Sequence, residues 1–214
     1  MHLSFIRTRG QQGLEAPAVT VEVHLSAGLP AFQVVGLGES RSREIRSRVR
    51  AALISSHLKW PDFNITVNLT PAERVTPGTR FDLPIAIGLL VASQQLPRDA
   101  IEGREFIGEL GLDGCLKPSR GALAAVLATA RDGNTLCLAL EDSPQLATVE
   151  GSRLIASPDL LSLCAALKAA DPELATPRSA CPADTSNYPD VSQIRGQPLL
   201  YRALELAAAA ATIY

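Results

Sequence analysis

Five arginines fall within ten residues, Arg41, Arg43, Arg46, Arg48 and Arg50. A guanidinium face of that density has the chemistry to reach phosphates. Arg80 and Asp82 stand two residues apart just before an apolar run, placed to cap a helix, to form an ion pair or to serve a subunit contact. Other matches are weaker. Ser56-His57-Leu58-Lys59 satisfies the acylating S-x-x-K pattern, but the partner motifs S-D-N and K-T-G are absent, so the match is coincidence. Gly36-Leu37-Gly38 opens a G-x-G-x-x-G pattern whose third glycine is Arg41; the glycines are read as a strand-to-helix turn. A phosphate-cradling G-x-x-x-x-G-K-[ST] loop needs a lysine after a glycine. The three lysines, Lys59, Lys117 and Lys168, each follow a leucine, so these residues are expected neither to hydrolyse ATP nor to bind it tightly.

The elements that must position these residues show in the periodicity. Val19 to Leu25 alternates apolar and polar, Ala27 to Pro30 supplies turn chemistry, and Ala31 to Val35 is a second apolar run. Together they predict a β-hairpin. From Ser40 to His57 the residues Ile45, Val49, Ala52 and Leu53 form the stripe of an amphipathic helix. On that wheel Arg43, Arg46 and Arg50 lie opposite the stripe, while Arg41 and Arg48 flank its other edge. A solvated surface partly neutralised by Glu39 and Glu44 is the preferred reading, and phosphate contact the alternative. Asn64 to Leu69 is a strand. Leu83 to Ala92 is a buried helix with Asp82 as its N-cap and Pro84 in its first turn. A second hairpin over 106–116, a helix over 122–130, strands over 136–140 and 153–156, and a helix over 158–170 complete the pattern.

With 46% hydrophobic and 4% aromatic residues among 214, the chain can bury one sizeable aliphatic core. Its net charge of −2 is uneven, with the basic excess in the first 90 residues. No segment reads as a secretion signal or a bilayer span, so a cytoplasmic location with no membrane partner is expected. The four cysteines are widely spaced, with no C-x-x-C pair, and are read as reduced core fillers rather than zinc ligands. Four prolines among small and polar residues between 171 and 190 mark a linker.

Six stretches recur in the order seen in one family: Val21 to Pro30, Val35-Gly36-Leu37, Arg48 to Leu53, Ile65 to Ala72, Arg80 to Ala86, and Gly108-Glu109-Leu110. The chain thereby resembles the ComM/YifB group of magnesium-chelatase-like AAA+ ATPases. The resemblance implies an α/β (α+β) domain of the Lon-protease-like, ribosomal protein S5 domain 2-like fold over 1–171, a linker over 172–189, and the start of an AAA+ domain over 190–214. The motor's phosphate loop would follow shortly after Ala211. Laying the Lon nucleophile pattern on Pro77 to Pro84 puts Asp82 at the serine position, and the base position falls on Leu123, so neither half of a serine–lysine dyad is expected.

The family implies a parent ATPase that is hexameric and takes ATP and magnesium in its AAA+ domain, with no cofactor and no metal in the domain over 1–171. It also implies a non-catalytic accessory role here, touching its own AAA+ domain and branched or single-stranded DNA. In the ComM branch the parent resembles a branch-migration helicase of natural transformation. An adaptor for a motor that remodels protein complexes is the alternative.

Overall fold

A computed structural model describes residues 2–74, 78–169, 196 and 198–211. The chain divides into two units, 1–180 and 181–214. The strands of the first are β1 (Leu3–Arg9), β2 (Ala18–Ser26), β3 (Ala31–Val34), β4 (Asn64–Thr70), β5 (Arg104–Phe106), β6 (Glu109–Leu110), β7 (Leu116–Lys117), β8 (Thr135–Ala139) and β9 (Leu154–Ser157). Seven of them form a mixed sheet in the order β3-β4-β2-β1-β5-β8-β9, and β6 and β7 make a separate hairpin. The helices are α1 (Glu39–Ser55), α2 (Asp82–Ala92), α3 (Ala122–Arg131), α4 (Ser143–Leu146) and α5 (Leu160–Lys168), with α6 (Pro198–Ala211) in the second unit. The α/β fold class expected from the sequence is the one observed.

Two of the expected hairpins are corrected. β3 does not pair with β2; it runs parallel to β4, with Phe32 opposite Ile65. β4 already occupies the free edge of β2 along its length, from Thr20 opposite Thr70 to Ser26 opposite Asn64. β3, α1 and β4 therefore form a parallel crossover, which needs a connecting helix rather than a two-residue turn. In the second case the chain is divided: β5 enters the main sheet between β1 and β8, and only β6 and β7 form the hairpin. Helix α5 also starts later than expected. Asp159, not Pro158, bounds it, and the Asp159 carboxylate accepts the Ser162 backbone N–H at 2.7 Å.

The two halves of the sheet are covered differently. In β2 the residues Val19, Val21, Val23 and Leu25 are buried while the alternate positions stay half-buried or exposed, the pattern of an antiparallel strand with one wet face. In β8, Cys137 and Ala139 face the main core with α2 and α5, whereas Leu136 and Leu138 face a second core with α3. That half is parallel and is covered on both faces, as parallel sheets are.

Helix α2 is buried at every position from Asp82 to Ala92 and lies very close to the sheet. Ser4 Oγ donates to the Gly88 carbonyl at 2.8 Å. A Cβ at Gly88 would stand 2.6 Å from Val23 Cγ2 and 3.3 Å from Ile6 Cγ1. Alanine would gain roughly 1 kcal/mol of helix propensity but force the helix off the sheet. Gly88→Ala is expected to cost a net of about 1–3 kcal/mol, read from the urea midpoint; a midpoint at or above that of the wild type would refute the close packing.

The linker assigned to 172–189 lies outside the described residues, as does Cys181. Within 190–214 the described residues 198–211 form helix α6, which is exposed from Pro198 to Ala209.

Candidate functional site

Asp82 is the first residue of α2, where the helix dipole favours negative charge. Its side chain does not cap the helix. The N-cap is Phe81, and no side-chain cap bond is present. The carboxylate instead turns toward α1 and is 1% exposed. Arg48 Nε donates to its Oδ2 at 2.7 Å and Arg48 Nη2 to its Oδ1 at 3.1 Å; the Leu110 backbone N–H is a third donor. A buried carboxylate needs such a set, and the planar fork of arginine supplies two parallel bonds from one group. The Arg80–Asp82 pair and the Asp82 cap expected from the sequence are thus replaced by an Arg48–Asp82 pair across two helices.

Burial pushes the Asp82 carboxyl up from 3.8 to about 6, against the opposing pull of Arg48. The hydrogen bond to Asp82 holds Arg48 above its ordinary value, and at neutral pH both are charged. The native state takes up a proton near pH 6, before the unfolded chain does near 3.8. The stability tied to this group is therefore present in full below the unfolded value and lost as pH rises through about 6. Between pH 7 and 4 the wild type should gain stability relative to Asp82→Asn, measured by urea unfolding of both. A wild type that loses ground on acidification would show a depressed carboxyl instead.

Arg80 points away from Asp82. It is 7% exposed, and its Nη1 donates to Gln11 Oε1 at 3.3 Å. It borders a cavity of about 570 Å³, lined also by Gln11, Thr79, Glu109, Ser119 and Arg120. Thr79 Oγ1 donates to Glu109 Oε2 at 2.7 Å across one wall. The Ser119 backbone N–H donates to Asp142 at 3.1 Å. Of these lining residues the sequence offers Arg80 alone as a candidate site residue and Glu109 only within a matching stretch, because they come from separate loops and strands with no shared spacing.

The arginine cluster is partly dispersed. Arg41, Arg43, Arg46 and Arg50 are exposed on α1, while Arg48 is only half-buried and committed to Asp82. Arg43 also pairs with Glu39 one turn earlier. Arg43 and Arg46 border a groove beside β3 that is lined by Phe32, Val35 and Leu37. Leu123, laid at the base position of a Lon peptidase, is 53% exposed on α3. Burial pushes the Cys137 thiol up to about 12 and the Cys164 thiol up to about 11, which leaves both as inert core groups; Cys115 is exposed. Among the described residues no helix is long and apolar enough to cross a membrane.

The seven-stranded mixed sheet with its packed helices is that of an α/β domain of the Lon-like, ChlI type. Residues 21–142 match the family described as subunit ChlI of Mg-chelatase, and the chain belongs to that family. It is 37% identical over 209 residues to the uncharacterized protein YifB of Escherichia coli K12, covering 98% of this chain and 41% of the relative. It is 39% identical over 213 residues to the competence protein ComM of Haemophilus influenzae, covering 98% of this chain and 42% of the relative. The chain therefore spans about two fifths of the length of these relatives.

Proposed function

We propose that this chain is a non-catalytic accessory domain of a ComM-like AAA+ ATPase that acts as a DNA branch-migration helicase in natural transformation. The carrying observation is the Arg48–Asp82 pair. At the position on which the Lon pattern lays its serine nucleophile, this chain holds a carboxylate that is 1% exposed and bound at both oxygens by one guanidinium. That group is neither a nucleophile with an adjacent base nor open to a substrate. In this reading ATP and magnesium belong to the AAA+ domain, the parent works as a cytoplasmic hexamer, and the domain steadies assembly and engages DNA. The ComM relative carries competence in its name, and the exposed Arg41, Arg46 and Arg50 on α1 offer cations to phosphates.

The test is anisotropy of labelled branched DNA with the full parent protein over a salt series. Arg41→Gln, Arg46→Gln and Arg50→Gln together should weaken binding and lower the salt slope by about one for each phosphate that is no longer neutralised. Unchanged affinity and slope would sink the DNA role for this face. The alternative, an adaptor for protein complexes, is favoured by the polar cavity around Arg80, which lies apart from the exposed arginines of α1.

A further inference from the structure

We infer that the cavity bounded by Gln11, Thr79, Arg80 and Ser119 is a carboxylate-recognition site, which takes an acidic side chain or the C-terminal carboxylate of a protein segment. The inference goes beyond the accessory-domain reading and does not depend on DNA binding. It starts from a comparison within the molecule. Among the described residues Arg9 and Arg80 are buried, and Arg48 and Arg104 are half-buried; Arg104 Nη1 is satisfied by the carbonyls of Ala100 and Leu167. Arg9 is 4% exposed and holds Glu105 and Asp132. Arg48 holds Asp82 through two bonds. Arg80 is 7% exposed and holds no carboxylate: its one bond goes to the neutral amide of Gln11, while Nε and Nη2 have no acceptor among the described residues.

Those two N–H groups form one edge of the guanidinium, the edge that meets both oxygens of a carboxylate in parallel. Leaving them shielded from water and unpaired costs free energy. Burial alone lowers the Arg80 value, with no anion to offset it. A second group in the same wall is in the same condition. Ser119 Oγ is buried without a partner, although the Ser119 backbone is already anchored to Asp142. Gln11 is seated against Gly121, where a Cβ would fall 2.7 Å from its amide carbon and where φ is +73°. The loop thus keeps the amide beside Arg80.

The charge balance selects the ligand. Arg80 and Arg120 line the cavity with Glu109, and Asp142 stands one hydrogen bond behind Ser119, a small balance that suits a monoanion rather than a phosphate dianion. A phosphodiester is also a monoanion, but it is flanked by a sugar on each side and cannot enter end-on. A carboxylate at the tip of a side chain or the end of a chain can. Glu109, held by Thr79, remains available at the rim to accept a peptide N–H.

The test uses the full 214-residue chain and three acetylated tripeptides: one with a free C-terminal carboxylate, the same peptide as its amide, and an amide with an internal glutamate. Calorimetric titration should show saturable binding of the first or the third, which separates terminus from side chain, and none of the plain amide. Arg80→Met and Arg80→Lys should each weaken that binding by at least about tenfold, because both lose the paired N–H edge. Without peptide, Arg80→Met should unfold at the same temperature as the wild type or higher, since it removes unpaired donors. A purely structural arginine would make that variant less stable. Binding of the plain amide equal to that of the acids, tighter binding of inorganic phosphate, or no binding of any peptide would each overturn the assignment.

Discussion

Arg9→Met is expected to destabilise the fold by about 3–5 kcal/mol, the loss typical of a buried charge deprived of its partner. Arg9 Nε and Nη2 donate to the two oxygens of Glu105 at 2.6 and 2.7 Å, and Arg9 also binds Asp132. Glu105 is 2% exposed and accepts further bonds from Thr129 Oγ1 at 2.7 Å and Asn134 Nδ2 at 2.9 Å. Burial works against the Arg9 charge, yet the bonds to Glu105 and Asp132 more than offset it and hold Arg9 above its ordinary value. Methionine fills the stem's volume and leaves the Glu105 carboxylate with neutral donors only. The double change Arg9→Met with Glu105→Leu should recover most of the loss, because it leaves no lone charge inside. Chemical denaturation of the wild type and the two variants checks this, and a single-variant loss under about 1 kcal/mol would show that the network is solvated.

Arg48→Ala is expected to cost a similar amount, about 3–5 kcal/mol, and to cost more than Asp82→Ala. The asymmetry follows from exposure: the Arg48 side chain is 24% accessible and the Asp82 side chain 1%. Without Asp82, the guanidinium can turn into water. Without Arg48, the carboxylate is left inside and must take up a proton. An N-cap role for Asp82 predicts a different result, a loss of about 0.5–2 kcal/mol for Asp82→Ala and nearly none for Arg48→Ala. Unfolding curves for the two single variants therefore discriminate between the pair and the cap.

What the sequence reveals and what it hides divide along a physical line. β2, α1 and β4 are legible because each buries one periodic set of apolar residues, such as Ile45, Val49, Ala52 and Leu53 on α1, and α2 because it is a continuous apolar run. β1 is not, because its inward positions include Ser4, Thr8 and Arg9 while Phe5 is 56% exposed; the polar inward groups are satisfied by Gly88, Phe106 and Glu105, all far along the chain. The ion pairs are hidden for the same reason. Arg80 is near Asp82 in sequence, but residues two apart do not face each other across a helix start, and the true partner lies 34 residues earlier. The cavity around Arg80 gathers residues from Gln11 to Arg120, a grouping that no local spacing encodes. Five arginines in a row of ten look like one surface, yet one of them serves the interior.

The position of β1 sets an order of events when the protein is made. β1 lies between β2 and β5, so one of its edges is closed by residues 18–26 and the other only by residue 105. At about 5–20 residues per second of synthesis, the second edge stays open for several seconds after the first has closed. By the end of that interval β1, β2, β4, α1 and α2 have all been made, and α2 can settle on the sheet with Gly88 against Val23. The Arg9 guanidinium, however, has no Glu105 to meet. The nascent chain thus carries a bare strand edge ending in an unpaired cation, and a cation at an open edge discourages pairing with a neighbouring chain. The group that later locks the two halves of the sheet together first guards the edge where they will join.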